Sequence, residues 1–142
     1  MRYSTPGGVS IVAALALLAA CNPGIPVRQD PEQVRSRYQA YAGPAIDHFV
    51  WRGHYDGWEA VGRDQLVLFT SVNNAYLLTV SPPCHDLRTA EHLGLTATAG
   101  SVYARLDSIT TRNWRCRILQ IRRVDYRRMK ADLRRAGNPA PG

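Results

Sequence analysis

The amino-acid sequence predicts an α+β fold that is mostly antiparallel β. We expect about six strands in a curled sheet or small partly open barrel, with three helices. Between residues 46 and 124, apolar and polar residues largely alternate, which is the period of a strand. Short turns such as Gly62-Arg63-Asp64 and Asn73-Asn74 join neighbouring runs, and strands joined in this way pair antiparallel. Helical periods occur at both ends and once in the middle.

An N-terminal helix is predicted to begin at Pro31, since Asp30 can cap it and proline suits the first helical position. Its apolar face consists of Val34, Tyr38 and Tyr41. Gly43-Pro44 ends this helix.

Six strands are predicted, four before the middle helix and two after it. They are 46–51, 55–61, 66–71, 75–80, 102–106 and 116–124. The fifth of these can extend to residue 111. Leu66-Val67-Leu68-Phe69 is continuously apolar, so its strand is expected to be buried on both faces. Asn73-Asn74 predicts a hairpin because asparagine tolerates positive φ. Imperfect alternation in the last strand is consistent with a β-bulge.

Two further helices complete the predicted domain. Residues 84–95 resemble a short middle helix, and Asp125 is placed to cap a C-terminal helix that Gly137 closes. The apolar stripe of that last helix is Tyr126, Met129, Leu133 and Ala136, and we expect this stripe to pack on the sheet. Residues 30–137 are expected to form a single globular domain, followed by a disordered tail at 138–142.

The N-terminus predicts export and lipidation. Residues 9–20 are apolar apart from Ser10, a run too short to span a bilayer and of the length found in signal peptides. Leu18-Ala19-Ala20-Cys21 resembles the lipobox of bacterial lipoproteins, which predicts a signal peptide at 1–20 and acylation of Cys21. Residues 21–29 then form a tether. Asn22, by resemblance to Gram-negative lipoproteins, favours the outer membrane, facing the periplasm.

Export also determines how the other two cysteines are interpreted. With Cys21 lipidated, Cys84 and Cys116 remain. In an oxidising compartment they most simply form one disulfide, and two free buried thiols are the alternative.

The positive charge is concentrated in one segment. Residues 112–135 contain ten basic and two acidic residues, a net charge of +8, whereas the rest of the mature chain has −2. In the C-terminal helix, the basic residues opposite the apolar stripe are Arg127, Arg128, Lys130, Arg134 and Arg135. Such a helix is typical of contact with an anionic surface, and a merely solvated charged face is the alternative.

Several short motifs together resemble a group of small proteobacterial secreted proteins of unknown function. They are Asp47-x-Phe49, Trp58-Glu59-x-x-Gly62, Ala75-Tyr76-Leu77-Leu78, Cys84-x-Asp86-Leu87, Gly94-Leu95-Thr96 and Cys116-x-Ile118-x-x-Ile121-Arg122-x-Val124-Asp125. The resemblance covers about residues 43–130. It implies an envelope location and paired cysteines, and it carries no known activity or catalytic residues.

No catalytic motif stands out in the sequence. A nucleophile elbow, a glycine-rich phosphate loop, His-Glu-x-x-His and Cys-x-x-Cys are all missing from it. We therefore predict a non-enzymatic cell-envelope lipoprotein without metal or cofactor. It would be held by its lipid anchor and bind a partner such as anionic lipid, lipopolysaccharide or an acidic protein.

Two alternatives stay open. One is a small metal-dependent or hydrolytic periplasmic enzyme that uses His54, Asp56, His85 or His92, since the two histidines at 85 and 92 can align on one helix face. The other is a cytoplasmic nucleic-acid binder whose N-terminus only imitates a signal peptide. An exported protein meets little nucleic acid, so we expect no such partner.

Overall fold

The structure is a computed structural model, and it describes residues 29–137. The predicted signal peptide, Cys21, the tether up to residue 28 and the tail at 138–142 lie outside the described residues. Two α-helices are described, α1 (Pro31–Ala40) and α2 (Tyr126–Gly137). The strands are β1 (Ala42–Ile46), β2 (His48–Val50), β3 (Gly57–Ala60), β4 (Gln65–Ser71), β5 (Asn74–Val80), β6 (Gly94–Leu95), β7 (Ser101–Tyr103), β8 (Ser108–Thr110) and β9 (Arg115–Val124).

Seven of these strands form one curled antiparallel sheet, in the order β3-β4-β5-β9-β8-β6 with β1 also paired to β9. The predicted β4–β5 hairpin is present, but it turns at Val72-Asn73, one residue earlier than predicted, and neither Asn73 nor Asn74 has a positive φ. Strand β9 is long enough to pair with β5 along one edge, and with β8 and then β1 along the other. Strands β2 and β7 form a separate two-stranded sheet. The predicted antiparallel, curled architecture is therefore confirmed.

The described residues contain nine strands rather than the six predicted, because two predicted strands are each divided and Gly94–Leu95 forms a further strand. The run 46–51 breaks after Ile46, so β1 joins the main sheet and β2 joins β7. The run after Val102 breaks at a turn in which Arg105 has φ 67°. This left-handed backbone is incompatible with a continuous strand, so β7 and β8 belong to different sheets.

The predicted middle helix is wrong, since the described residues contain two α-helices rather than three. Only His85–Arg88 are helical there, as a single 3-10 turn. Gly94 and Leu95 instead form β6, paired with Thr110 and Ile109 of β8. A Cβ on Gly94 would overlap the Thr110 side chain, so glycine allows this close pairing.

The concave side of the sheet holds the larger apolar core. Leu66 and Leu68 of β4 point into it, whereas Val67 between them points to the outer side, so this strand is buried on both faces as predicted. The other fully buried side chains of the inner core include Leu78, Val80, Leu87, Val102, Ile109, Ile118 and Ile121. The disulfide between Cys84 and Cys116 lies in the same core, with a Cα–Cα distance of 5.9 Å. The predicted pairing of these cysteines is present in the structure.

The convex side is covered by the two helices. Tyr38 of α1 and Met129 of α2 are buried over Val67, Leu77 and Val124. As predicted, the Asp30 carboxylate caps α1 by accepting from the Glu32 N–H at 3.1 Å. The predicted bulge in β9 falls at Leu119, because Gln120 pairs with Thr79 while Ile118 pairs with Val80. This places the Leu119 side chain in solvent, 42% exposed.

Candidate functional site

The candidate site begins where β9 passes into α2. The strand ends at Val124 and the helix starts at Tyr126, so Asp125 alone makes the junction. Its backbone N–H donates to the Tyr41 carbonyl at 2.8 Å, and its carboxylate accepts from the Arg128 N–H at 3.1 Å. Asp125 therefore caps α2 as predicted and fixes the direction in which the helix leaves the sheet.

The apolar stripe of α2 is buried over only half its length. Met129 is 3% exposed, and the Tyr126 ring packs on Phe69 with centroids 5.0 Å apart. Leu133 is 42% exposed and Ala136 is also exposed, which contradicts the prediction that the whole stripe packs on the sheet. The helix extends beyond the apolar cluster on the convex side of the sheet. Among the described residues, that cluster includes the first turn of α2 but neither Leu133 nor Ala136.

A tyrosine–carboxylate contact fixes the second half of the helix. The Tyr41 hydroxyl donates to Asp132 at 2.8 Å, linking α2 to the end of α1. This hydrogen bond, with the nearby Arg135 and Arg128 guanidinium groups, lowers the pKa of the Asp132 carboxyl below its usual value. The same hydrogen bond raises the pKa of the Tyr41 hydroxyl.

The five basic residues predicted on α2 differ in how much of their charge is compensated. Asp132 is 2.6 Å from Arg135 and 3.9 Å from Arg128. The Lys130 ammonium donates to the Val72 carbonyl at 3.1 Å and lies 4.6 Å from the Tyr126 ring centroid, so it also attaches α2 to the β4–β5 turn. Among residues 29–137, no ion pair includes Arg127 or Arg134. All four arginines are exposed, so α2 presents net positive charge to solvent.

A groove of about 980 Å³, open to solvent, runs along the base of this helix. Its walls are the start of α2 and the β4–β5 turn, and its floor is β1. The polar side chains that line it include Asn73, Asn74, Arg123, Asp125, Arg127 and Arg128. We refer to it as the arginine groove.

Arg123 is the groove residue that the sequence did not single out. It belongs to the basic segment but precedes α2, and it lines the same groove as Arg127 and Arg128, which follow the turn at Asp125. Its guanidinium donates to the Asn74 side-chain carbonyl at 3.0 Å. Within the described part of the chain, Arg123 belongs to no ion pair.

The neighbouring Arg122 has a structural role instead. A register shift between Ala42 and Ala45 interrupts the pairing of β1 with β9. Arg122 donates to the carbonyls of Ala42 at 2.8 Å and Gly43 at 2.7 Å. It thereby holds the floor of the arginine groove against the sheet.

The sequence model of the Family of unknown function (DUF6491) matches residues 1–139. The chain belongs to this family. Comparisons with curated proteins and with solved structures find no match. The predicted membership of a family without known function is thus confirmed, while proteobacterial origin and the lipoprotein signal stay predictions.

In this DUF6491 chain, the four residues of the enzyme alternative do not lie together. His54 lines one small cavity beside Trp51, and the Nδ1 atom of its ring lies 3.3 Å from the backbone carbonyl oxygen of Arg52. His92 lines another cavity, about 600 Å³, near Asp86 and Glu91.

His85 packs on Trp114, with ring centroids 4.9 Å apart, and the Asp56 side chain is exposed. In residues 29–137 no three His, Cys, Asp or Glu side chains are grouped so that they could hold a metal ion. None of the helices in these described residues is long and apolar enough to cross a membrane.

Proposed function

We propose that this DUF6491 protein is a non-enzymatic lipoprotein of the cell envelope, acylated at Cys21 and located at the periplasmic face of the outer membrane. Its folded part binds an anionic component of the envelope through the exposed basic face of α2. That component carries phosphate, as anionic lipids and lipopolysaccharide do.

The export part of this proposal is supported by two independent features. Leu18-Ala19-Ala20-Cys21 follows a short apolar run, as in lipoprotein precursors. Cys84 and Cys116 form a disulfide inside the core, and disulfides persist mainly in oxidising compartments.

One observation carries the binding part: four exposed arginines lie on one helix with a single acidic partner. Asp132 is within ion-pair distance of Arg128 and Arg135, and none of the described acids pairs with Arg127 or Arg134. The face therefore keeps positive charge that an anionic surface can neutralise. Each arginine close to such a surface is expected to contribute about 1 kcal/mol, reduced by salt.

The test separates the anchor from the basic face. A chain that begins at Asn22 carries no acyl group, so any vesicle binding must come from the folded part. We expect it to sediment with anionic vesicles at low salt, to be released at high salt, and to ignore neutral vesicles. Replacing Arg127, Arg128, Arg134 and Arg135 by glutamate should abolish the sedimentation. In cells, Cys21→Ser should yield an unprocessed or soluble protein.

In a matched control, glutamate replaces four exposed arginines elsewhere: Arg52, Arg63, Arg88 and Arg112. This variant has the same net charge as the α2 variant and should retain most of the binding. Equal losses in both variants would show that only total charge matters. Persistence of Cys21→Ser in outer membranes after a high-salt wash would refute the anchor. Binding of an acidic protein but not of vesicles would refute the lipid partner.

A further inference from the structure

We propose that the arginine groove is a discrete site for a phosphomonoester or diphosphate group, held between Arg123 and Arg127 with Arg128 beside them. This inference rests on the proposed function, which places the protein in a compartment rich in phosphate groups. It adds a defined pocket and ligand chemistry to what is otherwise attraction between charged surfaces.

The charge inside the groove is suited to an anion. Three arginines and one carboxylate line it, so the lining has a net positive charge. The Arg123 guanidinium donates to the neutral Asn74 side chain, and Arg128 lies 3.9 Å from Asp132. The guanidinium charge therefore stays available to a ligand. Planar guanidinium groups bind phosphate oxygens in pairs, which a lone ammonium group does not do.

The fold holds these arginines in place before any ligand arrives. Arg123 is at the end of a strand paired with Tyr76, and Asn74 restrains its guanidinium group. Arg127 and Arg128 belong to the first turn of a helix capped by Asp125. Binding therefore requires no ordering of the backbone, and the Arg123 guanidinium group is already restrained.

The size and lining of the groove indicate what is attached to the phosphate. Its volume of about 980 Å³ is at the upper end of ordinary ligand pockets and far exceeds one phosphate ion. The floor is apolar, with Ala42, Pro44 and Ile46, while Asn73 offers an amide group along one wall. These features fit a phosphate on a larger polar group, such as a lipid headgroup or a soluble phosphorylated molecule.

The test uses the full-length protein, purified with its own N-terminus in a non-ionic detergent. Pyrophosphate is titrated by calorimetry, with sulfate as the reference anion, and thermal unfolding checks that each variant is folded. We expect saturable binding of pyrophosphate. Arg123→Gln should weaken it about tenfold or more, because a charge-assisted hydrogen bond is lost. The matched Arg134→Gln variant, on the same helix but outside the groove, should bind pyrophosphate normally.

A gain of affinity provides a second test that misfolding cannot imitate. Asparagine caps helices about as well as aspartate, so Asp125→Asn removes the one carboxylate of the groove and keeps α2 intact. Pyrophosphate should then bind more tightly than to the natural protein. Unchanged or weaker binding would contradict the placement of the phosphate beside Asp125.

Vesicles distinguish the two sources of phosphate. If a headgroup is the ligand, phosphatidate, a phosphomonoester, should bind better than phosphatidylglycerol, a phosphodiester, and Arg123→Gln should remove that preference. Pyrophosphate binding without such a preference supports a soluble ligand.

The groove is refuted if pyrophosphate does not bind and phosphatidate is not preferred, or if Arg123→Gln and Arg134→Gln weaken binding equally. Salt-sensitive vesicle binding that only Arg134→Gln reduces would refute the groove and preserve the proposed function.

Discussion

The two sides of the curled sheet are held together by different chemistry. The inner side is a continuous apolar core that includes the disulfide and such residues as Leu66 and Ile118. The outer side has a smaller apolar layer under Tyr38 and Met129, and polar contacts complete the attachment of its helices. The Tyr38 hydroxyl donates to Glu59 at 2.9 Å, in the same manner as Tyr41 to Asp132.

This difference separates stability from binding. Apolar burial on the inner side involves no charged group, so it depends neither on titration nor on the screening of charges, and it determines whether the sheet forms. The outer side places its charges on a helix attached by a few hydrogen bonds, where substitutions change the surface without opening the inner core. We therefore expect inner variants to change unfolding and outer variants to change binding.

Removing the disulfide should produce the largest effect on stability. In Cys84→Ala with Cys116→Ala, the free energy of unfolding in urea should fall by about 3–4 kcal/mol, since the bond closes a loop with a sequence separation of 32. Vesicle binding of the folded fraction should stay unchanged. If binding is lost while the protein is still folded, the two sides of the sheet are not independent.

The inner side was predicted well in one part and wrongly in another. Residue patterning identified the doubly buried β4 strand from its continuous apolar run, and the hairpin after it from Asn73-Asn74. It failed between residues 84 and 111, where a 3-10 turn and very short strands replaced the expected helix and longer strand. Pieces of two to four residues are too short to show a period, so their structure depends on contacts distant in the sequence.

Asp107 is the clearest of those contacts and should give the second-largest effect. Its buried carboxylate, 3% exposed, accepts from the hydroxyls of Thr96 at 2.9 Å and Thr98 at 3.3 Å, and from the Tyr103 N–H at 2.9 Å. Asp107→Ala leaves these donors unpaired, so the free energy of unfolding should fall by about 2–3 kcal/mol.

Asp107→Asn is the matched variant, because its amide keeps one acceptor oxygen but also introduces a donor. We expect its free energy of unfolding to lie between those of Asp107→Ala and the natural protein. An asparagine variant as stable as the natural protein would show that the second carboxylate oxygen is not needed by these donors.

The candidate site was predictable only in part, for a related physical reason. Angular position on a helix separated Arg127, Arg128, Arg134 and Arg135 from the apolar stripe, and all four are exposed. The arginine groove depends on a strand, a helix and a hairpin turn meeting in space, which no local pattern records. The same limit applies to Leu133, since sequence gives the face of a helix but not where the sheet beneath it ends.

The smallest expected effect concerns the attachment of α2 and depends on pH. The pKa of the Asp132 carboxyl is lowered in the folded protein, first by the Tyr41 hydrogen bond and then by Arg135 and Arg128. A lowered folded pKa contributes stability above the ordinary value of 3.8, and this contribution is lost as the pH falls through the folded pKa. Tyr41→Phe should therefore have a lower Tm than the natural protein near neutral pH, and the difference should decrease in acid.

Asp132→Asn provides the control: adding Tyr41→Phe to it should give a Tm difference that does not vary with acid pH. A Tyr41→Phe deficit that stays constant from neutral pH to well below 3.8 would mean that the hydroxyl contributes through packing alone. The outer side would then resemble the inner side more closely than its polar contacts indicate.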